Sequence, residues 1–197
     1  MEMVLSEENL RDRLAEHSPR LVSQTERTTY ASVAAILRYQ SAEPDVLLIR
    51  RTDQPEDPWA GHMAFPGGRR EEGDADLVAT AVRETLEEVG IDLDDGARLL
   101  GRLDDVQAIS RARLLDMVVV PHVFVLTQPV SLQIDRTEVA DALWAPLGPM
   151  LRGEVDTCRP YVHDGHRLEL PGYRVGVEIV WGLTYRMLQL LFELAGA

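Results

Sequence analysis

A glycine loop running into an acidic helix constrains this chain more than any other stretch. Gly67-Gly68-Arg69-Arg70-Glu71-Glu72-Gly73-Asp74 is followed, after a short spacer, by Arg83-Glu84-Thr85-Leu86-Glu87-Glu88-Val89-Gly90-Ile91. At about 100° per residue, Val78, Ala81, Val82, Thr85, Leu86 and Val89 gather into one largely apolar stripe, which predicts a helix docked on a core. Glu84, Glu87 and Glu88 fall together outside that stripe, with Glu88 nearest its Ala81 edge. Like charges at such spacing cost a helix roughly 0.2–0.5 kcal/mol per pair. No lysine in the segment offsets them. Clustered carboxylate oxygens suit a hard divalent cation, Mg2+ or Mn2+.

The remainder of the chain must supply a core for that helix. Its 197 residues suit one domain with a small appendage. Ser6 to His17 reads as an amphipathic helix with Ser6 as N-cap, and Ser18 to Thr28 as a linker, so residues 1–28 form an N-terminal helix and linker and 29–197 the main domain. Strands are expected at 29–38 and 46–51, an exposed loop at 53–59, and extended chain at 63–65. Gly90 is the expected C-cap of the acidic helix. Further strands are expected at 99–106, 117–127, 131–134 and 177–180, with 107–115, including Arg111 and Arg113, as a loop. Residues 138–144 lead into a short helix at 147–151, and residues 161–170 read as a hairpin turning at Asp164-Gly165. A last helix is expected at 184–194. Strands and helices mixed in this order predict an α/β fold, a mixed β-sheet covered by helices on both faces.

Net charge narrows the partners. At −13 the chain is no nucleic-acid binder of the bulk-electrostatic kind. An acidic protein that handled a diphosphate would need bound cations and local arginines. No run approaches a membrane span, and the acidic start Met1-Glu2-Met3-Val4-Leu5-Ser6-Glu7-Glu8 lacks a basic leader, so a cytoplasmic protein is expected. One cysteine, Cys158, excludes an internal disulfide and reads as a small apolar filler.

The loop and helix resemble the Nudix hydrolase signature, Gly-x5-Glu-x7-Arg-Glu-U-x-Glu-Glu-x-Gly-U, where U is bulky and aliphatic. Arg83 to Ile91 matches except at Thr85, where an aliphatic residue is usual. Asp74 replaces the first Glu, and eight residues rather than seven separate it from Arg83. The coenzyme A pyrophosphatase subgroup shows the same expansion. A second likeness to that subgroup lies in Arg51-Thr52 and in Gly61 through Gly68, and a third in Val180-Trp181-Gly182-Leu183-Thr184. One subgroup arginine is missing; Glu56 stands in its place.

The resemblance implies an α/β/α sandwich of the Nudix type. It also implies a Mg2+ or Mn2+ ion on Glu84, Glu88 and Glu87, with the Gly67 carbonyl as a further ligand and Arg83 orienting the carboxylates. Glu84, Glu88 and the loop residue Glu138 are candidate general bases. Arg51, Arg69, Arg70, Gly68, Trp59 and His62 are candidate contacts for a small nucleotide diphosphate substrate, with Trp59 placed to stack an adenine. Each has a plainer reading: solvated charge for the arginines, a polar loop residue for His62, and an acid before a strand for Glu138. His122 reads as a satisfied core histidine, and Trp181 and Tyr185 as core aromatics. The expected activity is hydrolysis of coenzyme A or acyl-coenzyme A to 3′,5′-ADP and 4′-phosphopantetheine. Competing readings are a Nudix enzyme for ADP-ribose or NADH, and a catalytically silent nucleotide-binding regulator. Family members often pair, so a homodimer fits the resemblance too.

Overall fold

Strands that are apolar on both sides need cover on both sides, and that requirement builds this fold. The computed structural model describes residues 4–41, 43–110, 113–163 and 165–196, and for Ser110 and His163 the backbone alone. Its first half runs α1 (Glu7–Glu16), β1 (Thr29–Arg38), β2 (Asp45–Arg51), β3 (Met63–Ala64), β4 (Gly67–Arg69), α2 (Leu77–Val89) and α3 (Leu93–Gly96). Then come β5 (Ala97–Arg102), β6 (Val106–Ser110), β7 (Arg113–Leu126), β8 (Val139–Pro146) and α4 (Leu147–Leu151). The chain closes with β9 (Asp156–His163), β10 (His166–Val175), β11 (Glu178–Trp181) and α5 (Gly182–Ala195).

The central sheet has eight strands, ordered β3-β2-β1-β7-β5, with β4 on β1, β6 on β7 and β8 on β2. β1 and β7 are parallel and the other pairs antiparallel, so the sheet is mixed. Alternate residues of β1 serve opposite layers. Val33, Ala35 and Leu37 join α1 and α5 residues Leu10, Leu14, Leu188 and Leu191. Ala34 and Ile36 join Ala81 and Val89 of α2 and Leu93 of α3. β2 repeats the pattern, Val46 and Leu48 on one side, Leu47 and Ile49 on the other. The result is an α/β/α sandwich. A separate sheet, β11-β10-β9, stands beside it.

The N-terminal helix is ten residues long, too short to hold alone in water. Ser6 caps it by accepting from the Asn9 amide, as its sequence predicts. Leu10 and Leu14 are buried, at roughly 1.5–3 kcal/mol each. Asn9 Nδ2 donates to the Ala195 carbonyl, tying α1 to the end of α5.

Several boundaries depart from the sequence reading. Residues expected as a loop at 107–115 include the ends of β6 and β7, an antiparallel pair. Arg111 and Asp164 lie outside the described residues. The strand expected at 131–134 is coil, because Gln133 gives its amide to the Val89 carbonyl rather than to a neighbouring strand. Cys158 is exposed on β9 and fills no core.

His122 does sit in the core, with 4% of its surface exposed. Ser32 Oγ donates to the Val120 carbonyl at 3.3 Å and lies 3.0 Å from His122 Nδ1, so the ring N–H gives to the hydroxyl. Burial, helped by Arg102, pushes the imidazole from 6.5 down to about 4. The folded state therefore binds this proton later than the unfolded chain, and stability drops as pH falls from 6.5 toward 4. Between pH 6.5 and 5 the loss is expected to be on the order of 2 kcal/mol. The buried Glu88 carboxyl works in the opposite sense over the same range, so the test is a difference: the urea midpoint of His122→Gln minus that of the wild type should rise as pH falls from 6.5 to 5.

Candidate active site

Helix α2 carries the acids, and its ends fix their height over the sheet. Asp76 caps the start by accepting from the Ala79 amide at 2.8 Å. Gly90 ends it in the left-handed region at φ 71°, as the sequence predicts. Within it Ala81, Thr85 and Val89 are buried as the stripe requires. Leu86 departs from the stripe and is 49% exposed, while Glu88 is 2% exposed. The buried face is thus rotated toward Glu88.

The glycine loop explains that rotation. Gly67 pairs with Val33 in β1 at φ 145°, where a Cβ would meet the Ser32 carbonyl oxygen at 2.3 Å. So held, its amide donates to Glu88 Oε2 at 2.8 Å. A Cβ on Gly68 would meet the Glu84 carboxylate at 2.5 Å, so glycine there lets that acid lie against the loop. Glu138 completes the group. Its loop is pinned at both ends: Asp135 N–H gives to the Glu88 carbonyl at 3.0 Å, and the Glu138 carbonyl accepts from Thr52 at 2.9 Å. Carboxylate oxygens of Glu84, Glu88 and Glu138 all lie within 4.8 Å of one another. Burial pushes the Glu88 carboxyl up to about 8, against the Gly67 amide and Arg51, and burial also raises Glu84. Three acids so close, one deeply desolvated, fit a divalent cation far better than they fit one another.

Arg83 locks this arrangement. Nε and Nη2 give to both oxygens of Asp74 at 3.0 and 3.1 Å. Nη1 gives to Glu84 and to Glu87, each at 3.0 Å, and Nη2 also reaches the Arg69 carbonyl. Asp74 accepts further from the Glu71 amide and Thr80 Oγ1. These donors, Arg83 first, hold its carboxyl well below the usual range. Aspartate at this position, one residue further back than the signature has its glutamate, thus braces the loop onto the helix. Glu87 lies on the exposed side with Arg83, away from the cluster of three.

The acids open onto a cleft of about 1250 Å³. Arg51, Trp59, His62, Gly67, Gly68, Arg69, Glu84, Glu88 and Glu138 all line it. Arg51 is aligned by Asp57, 2.7 Å from its Nε, and lies 3.9 Å from Glu88. Trp59 gives its indole N–H to the Ile109 carbonyl. Arg70 does not line the cleft; it donates to the Asp74 and Ala75 carbonyls of the loop. Trp181 lines the cleft rather than the core, with His62 at 4.5 Å between ring centroids. Sequence reasoning passed over Asp57, for nothing in its spacing marks it. Among the described residues no helix is long and apolar enough to cross a membrane.

Comparison with known proteins agrees with this geometry. A family model for the NUDIX domain matches residues 29–162. The chain is 36% identical over 162 residues to an uncharacterized protein of Schizosaccharomyces pombe, covering 73% of this chain and 49% of that protein, so it spans about half of that relative's length. It is 32% identical to the uncharacterized Nudix hydrolase NudL of Yersinia enterocolitica, covering 77% and 74% of the two chains. It is 30% identical to the human mitochondrial coenzyme A diphosphatase NUDT8, covering 80% and 66%. Among solved structures, the NUDIX domain of Shewanella oneidensis NrtR, complexed with ADP ribose, aligns at TM-score 0.53 and 20% identity over 94% of this chain and 95% of that one.

Two stability effects follow. Thr85 Oγ1 is buried and, among the described residues, has no hydrogen-bond partner. Thr85→Val is expected to stabilise by about 1 kcal/mol in chemical denaturation. Asp74→Ala strands Arg83 and the Glu71 amide; a loss of about 2–4 kcal/mol is expected in the same measurement.

Proposed function

The chain belongs to the Nudix family, and on that premise we propose that it is a divalent-cation-dependent pyrophosphohydrolase acting on coenzyme A or its acyl derivatives. The observation that carries the reading is the three-acid cluster of Glu84, Glu88 and Glu138, set beside a glycine loop in a cleft large enough for a nucleotide. The reaction adds water across a phosphoric anhydride: an O–P bond forms, the bridging O–P bond breaks, and two phosphate products leave. For coenzyme A these are 3′,5′-ADP and 4′-phosphopantetheine.

Glu84, Glu88 and Glu138 would hold Mg2+ or Mn2+, with the Gly67 carbonyl beside them. Bound there, the ion would shield phosphate oxygens and lower the pKa of water. The chain's own residues supply position and charge. Arg83 and Asp74 keep the carboxylates aimed and the loop closed on the helix. Arg51 and Arg69 offer guanidinium N–H groups to phosphate oxygens along the cleft. The proton of the attacking water would pass to one of these carboxylates, Glu84 or Glu88 or the more exposed loop acid Glu138.

Support for coenzyme A comes from Arg51-Thr52, Gly61 through Gly68 and the Trp181-Gly182 element, together with the name of the human relative. A second reading, ADP-ribose or NADH, is favoured by Glu56 in place of an arginine. The Shewanella domain's ADP ribose points the same way. The intact acids speak against a silent regulator.

With Mg2+ or Mn2+, coenzyme A is expected to yield 3′,5′-ADP and 4′-phosphopantetheine by mass spectrometry; intact substrate alongside cleaved ADP-ribose would favour the second reading. Glu88→Gln keeps an acceptor for the Gly67 amide but loses the charge. It is expected to keep its circular dichroism and lose about a hundredfold or more in kcat.

A further inference from the structure

The small sheet β9–β11 and the start of α5 build one wall of the cleft, through Tyr161, Leu168, Leu170 and Trp181. The family model takes in Arg159 and Tyr161 on β9 and ends before Trp181. That wall is fixed to the main sheet where Thr184 Oγ1 gives to the buried Met63 carbonyl at 2.9 Å, next to His62. Trp181 therefore meets His62 at 4.5 Å, and the Arg159 guanidinium lies over its ring at 4.9 Å. Tyr161 stands 5.9 Å from the same indole.

A tryptophan so surrounded is a poor platform for a base. His62, Arg159 and Tyr161 already crowd its ring. Its face instead holds the Arg159 guanidinium, 4.9 Å from the ring centroid, on the same indole that meets His62 at the cleft. Among the described residues Arg159 has no carboxylate partner, in a chain of net charge −13. Arg51, by contrast, is engaged by Asp57 and Glu88. Burial lowers the His62 pKa, and Arg159 and Arg51 push the same way against Asp57, which favours the neutral imidazole. A guanidinium with no carboxylate partner among the described residues, sharing one indole with an imidazole at the cleft, suits a compact, doubly charged oxyanion.

We propose that Arg159 and His62, braced by Trp181, form a subsite for a phosphate monoester that the nucleotide carries in addition to its diphosphate. This rests on the pyrophosphatase reading above and narrows its substrate class. Coenzyme A carries such a group on its ribose 3′-oxygen; dephospho-coenzyme A, ADP-ribose and NADH do not.

Steady-state hydrolysis of coenzyme A and dephospho-coenzyme A, each with Mn2+, separates the possibilities. Wild type is expected to favour coenzyme A by about tenfold or more in kcat/KM, mostly through KM. In Arg159→Gln, whose site is exposed and whose melting temperature should not move, that preference should shrink toward one. Equal kcat/KM for the two substrates in the wild type, or an unchanged preference in the variant, would overturn the subsite and leave the pyrophosphatase reading intact. Failure to cleave either compound, with ADP-ribose cleaved, would overturn that reading and the subsite with it.

Discussion

One hydrogen bond, from the Gly67 amide to the Glu88 carboxylate, sets the terms for the rest of the site. A carboxylate 2% exposed is costly to charge, and a single backbone donor does not offset that cost. The bond requires β4 to lie tightly on β1, which is why position 67 has no room for a side chain. It also requires α2 to turn an acid toward the sheet, and Leu86 is displaced to solvent as a result. An amphipathic helix would ordinarily bury its leucine and expose its glutamate. The inversion shows that the helix face is set by the acid, with packing by Ala81, Thr85 and Val89 accommodating it.

Arg83 turns a repulsive arrangement into a stable one. It spends its donors on Asp74, Glu84, Glu87 and the Arg69 carbonyl, so the loop and the helix cannot part without stranding several charges at once. Two of its partners also sit at different depths. Asp74 is nearly buried and takes a bidentate grip, whereas Glu87 is exposed and contributes little through screening by water. This division separates the acids that hold the frame from those left to face the cleft.

The helix and loop were legible because helical geometry converts spacing into direction at a fixed angle per residue. β1 and β2 were legible because an unbroken apolar run can be buried only in a sheet covered on both faces. What could not be read was set by distant partners. Glu138 was a candidate base among other surface acids until hydrogen bonds from Thr52 and Asp135 brought its loop to the end of α2. Leu132 and Ile134 alternate as a strand would and do pack on the core, yet the intervening backbone bonds to Val89 instead of a ladder. Trp181 looked like core because its sequence neighbours are apolar; its facing of the cleft depends on Thr184 reaching Met63 across the chain.

The parallel pairing of β1 with β7 carries a kinetic consequence. Ser32 and Val120 bond across 88 residues, and everything that bears the acids lies between them or beyond. Closing so long a loop delays the central ladder relative to hairpins such as β9 and β10, which are sequence neighbours. Gly67 meets Glu88 only where β4 lies on β1, a pairing more local than the β1–β7 ladder. Glu138 joins Glu84 and Glu88 from a distant stretch of chain, so the cluster of three exists only when the loop before β8 has docked against the end of α2.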